Sequence, residues 1–481
     1  MNWTSASTNN REPTGISLPS AFRLETDEAN TTLYLVRDAE TTDFVYLEVG
    51  DPDNNGRDVV GAAQIAESWS DKKLPHTNAT YIIHNKRLNF DAYGGRTSYV
   101  FPAQSVYLWS DARNHAIRIE QTCRNVTITN LYLLPNATYG VNGNSTNPTY
   151  LWGDSITTYA GNSNGEIYFT VIGGKEFHVM APISGNGRIV LTEYGTLATW
   201  GTLCLEKANP DFSGTWTFSI NDNTRDKNEC PTDVHCKTVR ISESTSLGGP
   251  LATFDYKSVS MNQMTVLQPV KSMTMDEPTR GVYVGNVARI RTDENVDFSL
   301  KNPLTLDGEL RKEGTGLLAL GGQLRFLDAS GAISDAPRAN SNRLVVAAGV
   351  LKPLSRTAFD GLAISLTDAT STLAYDLAPA DADVATYGIY NVKNESDPLI
   401  SSVTGGSIPV RFDGEPDRTV GVYDIGLVTV KTRALAEALK GKFVLPKVRG
   451  RTASVDIRDN ADGTATVLAK LVNKGFFVIV K

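Results

Sequence analysis

The stretch Asn302–Gly322, NPLTLDGELRKEGTGLLALGG, decides how the fold is interpreted. Leu304, Leu306 and Leu310 alternate with polar residues at the two-residue period of a half-buried strand. The Asp307-Gly308 pair predicts a turn between the second and third of these leucines. Two short strands and a turn cannot bury their apolar edge alone, so similar units are expected to stack above and below this one.

A second stretch repeats this order of residues. Phe177–Leu203, FHVMAPISGNGRIVLTEYGTLATWGTL, and Phe298–Gly322 both run from Phe through alternating apolar residues and Pro to a strand, a Gly turn and further strands. Strand spacing alone would also allow a sandwich or a barrel. The two repeat units, near 177–203 and 298–322, favour stacked coils instead.

Composition limits the class of protein. The chain has 481 residues with 41% hydrophobic side chains, 40 Gly and 21 Pro, which fits many short strands joined by turns. Its net charge of −7 comes from 46 basic and 53 acidic residues without a basic stripe, so a nucleic-acid partner is not expected. The longest apolar runs are strand-sized, so no membrane span is predicted.

The second repeat unit carries a family resemblance. Together with TRGVYVG at Thr279–Gly285, it resembles the passenger-associated repeat, also called the autotransporter-associated β-strand repeat, of large bacterial surface and secreted proteins. Asn209–Ser219 is similar to the strand that often follows this repeat, and Ser68–Phe90 resembles the opening coils of such proteins in Verrucomicrobia-like and Lentisphaerae-like bacteria. The resemblance implies a right-handed β-helix and an extracellular or cell-surface location, and it implies no activity.

The predicted fold is therefore all-β, with a right-handed parallel β-helix, or solenoid, over residues 67–375. A β-rich N-terminal region is expected at 1–66, and a β-rich cap with one short helix at 376–481. The cap would cover the open backbone edges of the last coil. TRALAEALKGKF, Thr432–Phe443, predicts the helix, with Leu435, Ala438 and Leu439 on one face and Gly441 at its end. The Asp-Gly pair in DNADG, Asp459–Gly463, predicts a hairpin.

One acidic loop has the composition of a calcium site. DPDNNGRD places oxygen-bearing side chains around Gly56, at Asp51, Asp53, Asn55 and Asp58. A hard cation prefers several oxygens on a tight turn, but the twelfth position is Ala62 rather than the Glu of an EF-hand. A solvated turn between strands is the alternative. No other cofactor is indicated.

The cysteines predict one disulfide bond. Cys230 and Cys236 enclose a short polar loop in which a bridge would be easy to form, with two free buried thiols as the alternative. Cys230, His235 and Cys236 could instead bind zinc, but a fourth ligand and the usual paired spacing are missing. Cys123 and Cys204 lie in strand-like runs and are predicted to be core thiols.

Motifs for catalysis are weak. GNSNG places Ser163 in a Gly-x-Ser-x-Gly pattern, but a strand rather than a helix follows, so no nucleophile is predicted there. His84, His115 and His178 stand singly on strands without a matching acid or nucleophile nearby in sequence, which favours packing roles.

Aromatic residues are dense in the first half of the chain. They could form a face on which sugars stack, or they could simply cover a sheet. The full set is Tyr81, Tyr93, Tyr99, Tyr107, Trp109, Tyr150, Trp152 and Tyr159. The candidates for sugar stacking are Tyr93, Tyr107, Trp109 and Trp152.

The leading functional hypothesis is a secreted or cell-surface protein with a structural or adhesive, non-enzymatic role. The alternatives are a polysaccharide lyase or glycosidase on the same fold, and a carbohydrate-binding module. Self-association into a homo-oligomer or filament is predicted through terminal strands, which lie in residues 29–50 and in Gly475–Lys481.

Overall fold

The computed structural model describes a defined part of the chain. Its ranges are 22–26, 33–37, 43–48, 61–62, 66–77, 79–90, 97–111, 119–141, 147–160, 165–171, 174–192, 201–218, 237–262, 265–328, 330–335, 342–377, 388–393, 399–401, 406–417 and 419–474. Within these ranges the protein is all-β with one α-helix, and most strand pairs are parallel. The fold is thus consistent with a β-helix or solenoid.

The strands follow one another at short intervals. In the first half they are β1 (Phe22–Thr26), β2 (Leu33–Arg37), β3 (Asp43–Tyr46), β4 (Gly61–Ala62), β5 (Ala79–His84), β6 (Leu88–Phe90), β7 (Ser98–Trp109), β8 (Ile119–Gln121), β9 (Asn125–Leu133), β10 (Thr138–Val141), β11 (Thr149–Trp152), β12 (Ser155–Thr158), β13 (Glu166–Val171), β14 (Glu176–Val179), β15 (Ile183–Gly185), β16 (Arg188–Thr192), β17 (Thr202–Leu205), β18 (Thr215–Phe218) and β19 (Lys237–Ile241).

The second half continues in the same way. Its strands are β20 (Asp255–Met261), β21 (Thr265–Pro269), β22 (Met273–Met275), β23 (Arg280–Arg291), β24 (Asp297–Leu300), β25 (Leu304–Glu313), β26 (Leu317–Leu320), β27 (Leu324–Leu327), β28 (Ile333–Ser334), β29 (Arg343–Val346), β30 (Val350–Pro353), β31 (Ala363–Leu366), β32 (Thr372–Asp376), β33 (Ile389–Asn391), β34 (Leu399–Ser401), β35 (Ile408–Asp413), β36 (Val422–Val430), β37 (Phe443–Val444), β38 (Arg451–Asp459) and β39 (Ala465–Asn473). The helix is α1 (Arg433–Lys440), and 3-10 turns lie at Ala66–Ser68 and Arg356–Ala358.

The chain returns beside itself at regular intervals. Thr80 of β5 pairs in parallel with Ser105 of β7, Ser105 with Asn130 of β9, and Asn130 with Ser155 of β12. We call this series, which ends at β15, the first ladder. A second parallel ladder runs through β11, β14, β17, β19 and β21, and a third runs through β8, β10, β13, β16, β18 and β20.

Alternation along each strand builds the core. In the first ladder Val106, Leu131, Ile156 and Ile183 occupy one register position, and each is at most 1% exposed. Because neighbouring residues of a strand point to opposite faces, the residues between them face outward. The inward rows form one continuous apolar cluster that extends to Leu471.

The predicted Asp307-Gly308 turn is wrong. β25 is one strand that pairs with β23 at ten successive register positions. At the paired position Asn286 has a left-handed φ of 54°, and a Cβ at Gly308 would lie 1.9 Å from the Asn286 carbonyl oxygen. The glycine is therefore needed for close approach between adjacent strands rather than for a reversal of the chain.

Two cations lie inside the stack, where backbone carbonyls hold them. The Lys312 Nζ donates hydrogen bonds to the carbonyl oxygens of Glu313, Gly314 and Ala348 at 2.9, 2.6 and 3.1 Å. The Arg280 guanidinium similarly donates to three carbonyls of earlier segments, each at 2.9 Å. Both side chains are fully buried, so these hydrogen bonds offset the desolvation of the charge and tie neighbouring coils together.

Parallel pairing crosses both predicted domain boundaries. β3 and β4 pair with β5 and β6, and β34 and β35 extend the ladders beyond residue 375. The boundaries at residues 66 and 375 stay predictions. The sheet β33-β36-β39-β38 follows, and its β38–β39 hairpin, with Asp459 opposite Ala465, confirms the expectation for DNADG.

The helix prediction is confirmed in position and corrected in orientation. Thr432 caps α1 through its hydroxyl, which accepts a hydrogen bond from the Leu435 N–H at 3.3 Å, and Gly441 is the C-cap. Leu439 is buried as expected, but Ala436 rather than Ala438 is the second buried residue. The face of α1 that packs against β36, β38 and β39 is therefore rotated slightly from the predicted face. No helix in the described ranges is long and apolar enough to cross a membrane.

Candidate functional site

An uncharged aromatic row runs along the outer face of the first ladder. Each strand of this ladder has an outward residue directly after its buried residue of the Val106 row. These outward residues, which we call the tyrosine row, are Ile82, Tyr107, Tyr132, Thr157 and Ser184. The Tyr107 and Tyr132 rings are stacked with centroids 4.3 Å apart and planes within 5°. Partial burial, and then the neighbouring Tyr132 and Tyr159, raise the pKa of Tyr107, so its hydroxyl is neutral.

A second uncharged row borders the tyrosine row. It contains Thr80, Ser105, Asn130 and Ser155 at one register position. The Ser155 hydroxyl donates a 2.8 Å hydrogen bond to the Asn130 side-chain oxygen, and the Asn130 amide donates to the Gln104 carbonyl at 2.9 Å. The two rows together present aromatic rings beside hydroxyl and amide groups, with no charged residue among them. Such a surface can stack on a sugar ring and hydrogen bond to it.

The predicted stacking residues are divided between two ladders. Tyr107 and Trp109 share β7, where the Trp109 ring stacks on His84 with centroids 4.8 Å apart. Trp152 lies on β11 of the second ladder, is 41% exposed, and donates from Nε1 to the Asn125 side-chain oxygen at 3.3 Å. Tyr93 lies outside the described residues. Of the wider set, Tyr81 is a core residue at 0% exposure.

A charged cluster lies on the outer side of the second ladder, next to Tyr150, whose ring also lies near that of Trp152. It comprises Glu176, His178, Cys204, Glu206 and Arg240, which we call the His178 cluster. The His178 Nδ1 lies 2.6 Å from a Glu206 carboxylate oxygen, and the Nε2 lies 3.6 Å from Glu176. The Arg240 Nη1 pairs with the other Glu176 oxygen at 2.7 Å.

Strand register brings this cluster together. His178 of β14 pairs with Cys204 of β17, which pairs with Arg240 of β19. Leu203 and Leu205 face the core, so Cys204 between them points to the opposite face, where its neighbours bury it to 1% exposure. Burial raises the pKa of the Cys204 thiol to about 12, although Arg240 opposes the shift. Cys204 was predicted to be a core thiol; it is buried as predicted, but it lies on the outer face of its strand.

His84 and His178 stack on aromatic rings, as expected of packing histidines, and each also has a carboxylate partner that the sequence did not indicate. His178 contacts two carboxylates, and the His84 Nε2 lies 2.9 Å from an Asp111 oxygen. These carboxylates come from the same coil or from an adjacent coil. The sequence does not reveal the partner of His84, because Asp111 lies one coil further along the first ladder. His115 lies outside the described residues.

Several predicted sites fall outside the described ranges. These are the calcium loop Asp51, Asp53, Asn55 and Asp58, the disulfide pair Cys230 and Cys236, His235, Ser163 and the terminal segment Gly475–Lys481. The calcium, disulfide, zinc and self-association hypotheses therefore stay predictions.

Sequence reasoning missed Tyr132 and the His178 cluster. The repeat alignment contained a signal for the latter, since Phe177 and Leu203 open and close one unit and pair with each other. The residues that follow them, His178 and Cys204, must then be neighbours too. For Tyr132 the sequence offered a weaker signal, namely a tyrosine at an outward position of an alternating strand.

One cavity lies near the C-terminus, away from both surfaces. It has a volume of about 490 Å³ and is lined in part by Phe443, Leu445, Val448, Arg451 and Val455. Comparisons with family models, curated proteins and solved structures found no match to this chain.

Proposed function

We propose that the chain is a right-handed parallel β-helix that acts as a secreted or cell-surface adhesive protein and binds neutral glycans through the tyrosine row. The hand is supported by the near-universal right-handedness of crossovers between parallel strands of one sheet. The cell-surface location rests on the resemblance of residues 298–322 to passenger-associated repeats. Adhesion rests on the surface chemistry of the first ladder.

The observation that carries this function is the Tyr107–Tyr132 stack within two uncharged rows. Stacked rings fix both side chains, so little conformational entropy is lost when a ligand binds them. Thr157, the next residue of the row, is shorter than Tyr132, and Tyr159 lies close enough to help raise the pKa of Tyr107. Hydroxyl and amide groups on the same face match the alternating apolar and hydroxyl groups of a sugar. The lack of charge favours neutral over polyanionic glycans.

The test is a glycan array with the full chain, followed by affinity measurement on the strongest neutral ligand. Tyr107→Ala and Tyr132→Ala should each weaken binding roughly 3- to 10-fold, corresponding to about 0.5–1.5 kcal/mol for one aromatic contact. Tyr375→Phe is a control outside the binding face, because Tyr375 is buried on β32 in another sheet, so this variant should bind normally. Absence of neutral ligands, or unchanged affinity in both alanine variants, would contradict the proposal.

Trp152→Ala separates the two aromatic surfaces. If the tyrosine row is the binding face, this variant should retain affinity, because Trp152 lies on the second ladder. A loss confined to Trp152→Ala would move the glycan site to the His178 cluster.

The enzymatic alternative has one observation in its favour. Glu176, Glu206, His178 and Arg240 lie on adjacent strands, as catalytic acids and bases of β-helical lyases and glycosidases must. The array ligands should therefore also be assayed for cleavage. Cleavage by the wild type that Glu176→Gln and Glu206→Gln abolish would establish the enzyme, whereas binding without cleavage supports adhesion.

A further inference from the structure

Three kinds of metal ligand meet on the second ladder. A ring nitrogen of His178, the Cys204 sulfur and a Glu206 carboxylate oxygen all lie within 4.8 Å of one another. Parallel pairing of β14 with β17 sets His178 beside Cys204, and the Glu206 N–H donates to the Val179 carbonyl at 3.1 Å. The three residues are thus held by backbone hydrogen bonds on adjacent strands, which is a rigid base for a site.

We propose that His178, Cys204 and Glu206 bind one divalent transition-metal ion of the zinc class. Nitrogen, sulfur and a single carboxylate are the ligands that zinc prefers, whereas calcium and magnesium take oxygen ligands only. The inference does not depend on glycan binding, because the tyrosine row lies on a different ladder.

One nitrogen of the cluster lacks a hydrogen bond. The His178 Nε2 is buried and forms none, although Glu176 lies 3.6 Å away. Buried polar atoms are nearly always paired, so this nitrogen has an interaction left to make. An ion bound at the Nδ1, the nitrogen beside Glu206, would leave the Nε2 proton directed at Glu176, as in a carboxylate–histidine–metal arrangement.

Neighbouring residues hold the proposed metal ligands in place. The Ser242 hydroxyl donates to the Glu206 carboxylate at 2.7 Å, and the Tyr150 ring stacks on His178 with centroids 4.7 Å apart. Arg240 holds Glu176 at 2.7 Å. Such partners fix the rotamers of metal ligands and raise affinity.

The charges balance when the ion is bound. The Cys204 thiol releases its proton to solvent, and the sulfur keeps the electron pair that forms the metal–sulfur bond. The thiolate and the Glu206 carboxylate then neutralise the divalent ion, while Glu176 and Arg240 neutralise each other. No oxidant or reductant is needed.

Cobalt(II) is the probe for this site. Metal-free, reduced full-length protein is titrated with CoCl₂, and one equivalent should produce thiolate-to-cobalt charge-transfer absorption that one equivalent of ZnCl₂ removes. Cys204→Ser should lose this absorption. Cys123→Ser should keep it, because Cys123 is also a buried cysteine but does not belong to the cluster.

One further variant tests a residue that contacts a ligand, and others replace Cys204→Ser if that variant does not fold. Ser242→Ala should lower zinc affinity roughly 10- to 100-fold while leaving the charge-transfer absorption in place at saturation. Should Cys204→Ser not fold by circular dichroism, Glu206→Gln and the zinc dependence of the wild-type melting temperature replace it. Absence of charge-transfer absorption in the wild type, its persistence in Cys204→Ser, or a melting temperature unmoved by saturating zinc would overturn the proposal.

Discussion

The two repeat units, 177–203 and 298–322, share a backbone plan but use their outer faces differently. Both begin with a fully buried phenylalanine, Phe177 or Phe298, that pairs with a leucine of the next coil. Both contain a glycine pressed against a carbonyl of the previous coil. A Cβ at Gly185 would lie 2.0 Å from the Thr158 oxygen, close to the 1.9 Å found at Gly308. The shared residues are thus those that stacking requires.

The outward residues differ in kind. In the first unit, His178 meets Cys204, Glu206 and the adjoining Glu176, which Arg240 holds, and one buried ring nitrogen is left without a hydrogen bond. The second presents an ion-pair network in which Glu309 contacts Arg311 and Arg343, while Glu313 contacts Arg291 at 3.1 Å. One outer face carries the proposed metal ligands, and the other is internally neutralised by ion pairs. Stacking therefore constrains the inward rows and leaves the outward rows free to diverge.

The glycines shared by the two units should give the largest effect. Alanine at Gly308 must push back the carbonyl it meets, at a cost of about 1–3 kcal/mol. Gly185 also has a left-handed φ of 88°, so Gly185→Ala should cost about 1–2 kcal/mol more. The measurement is the free energy of unfolding in denaturant.

Two other glycines serve as controls for this prediction. A Cβ at Gly421 would meet nothing within 4 Å, so Gly421→Ala should be nearly neutral. Gly463 has open space but a φ of 83°, so Gly463→Ala isolates the backbone contribution. Equal destabilisation by all four substitutions would contradict close stacking as the cause.

Lys312, present only in the second unit, should give an intermediate and pH-dependent effect. Burial lowers its pKa from 10.5 to about 8, although Glu313 opposes the shift. Between these values the unfolded chain binds more protons, so the free energy of unfolding should rise with pH across this window, by at most about 3 kcal/mol. Lys312→Met should remove this rise, measured by denaturant unfolding at several pH values.

The control for Lys312 is an exposed lysine. Lys271 pairs with Glu243 at the surface, so Lys271→Met should leave the pH profile unchanged. Parallel pH profiles for the wild type and Lys312→Met would show that the buried amine does not set the dependence.

The ion pairs on the outer face of the second unit should matter least. Arg343 is 58% exposed at its side chain, and its partner Glu309 retains Arg311 at 3.3 Å when Arg343 is removed. Arg343→Ala should cost about 0.2–1 kcal/mol, and less at high salt. A loss above about 2 kcal/mol, measured at low and high ionic strength, would mean that this network holds the coils together.

Local sequence signals predicted those parts of the fold that depend on local physics. Alternation identified strands, Thr432 and Gly441 bounded the helix, and Asp459–Gly463 formed the expected hairpin. The same kind of signal failed at Asp307-Gly308, because ten parallel pairs with β23 outweigh the turn preference of two residues. It failed at Ala438 because three strands, not the periodicity of the helix, select the buried side.

The candidate sites were less predictable because their residues meet only across coils. Trp109 and Trp152 were identifiable by residue type, yet register places them on different ladders. Tyr107 was identified without Tyr132, the ring on which it stacks. His178 and Glu206 are far apart in sequence, and their contact exists only because β14 and β17 pair in one particular register.

By itself, the amino-acid sequence determined that this protein is built from short alternating strands that must stack to bury their apolar faces. It also determined which residues carry aromatic, charged or sulfur-bearing groups. Tertiary structure alone decided which of those groups become neighbours. The physical reason is that strand register is set by the packing of inward rows from distant segments, and the outward side chains follow wherever that register places them.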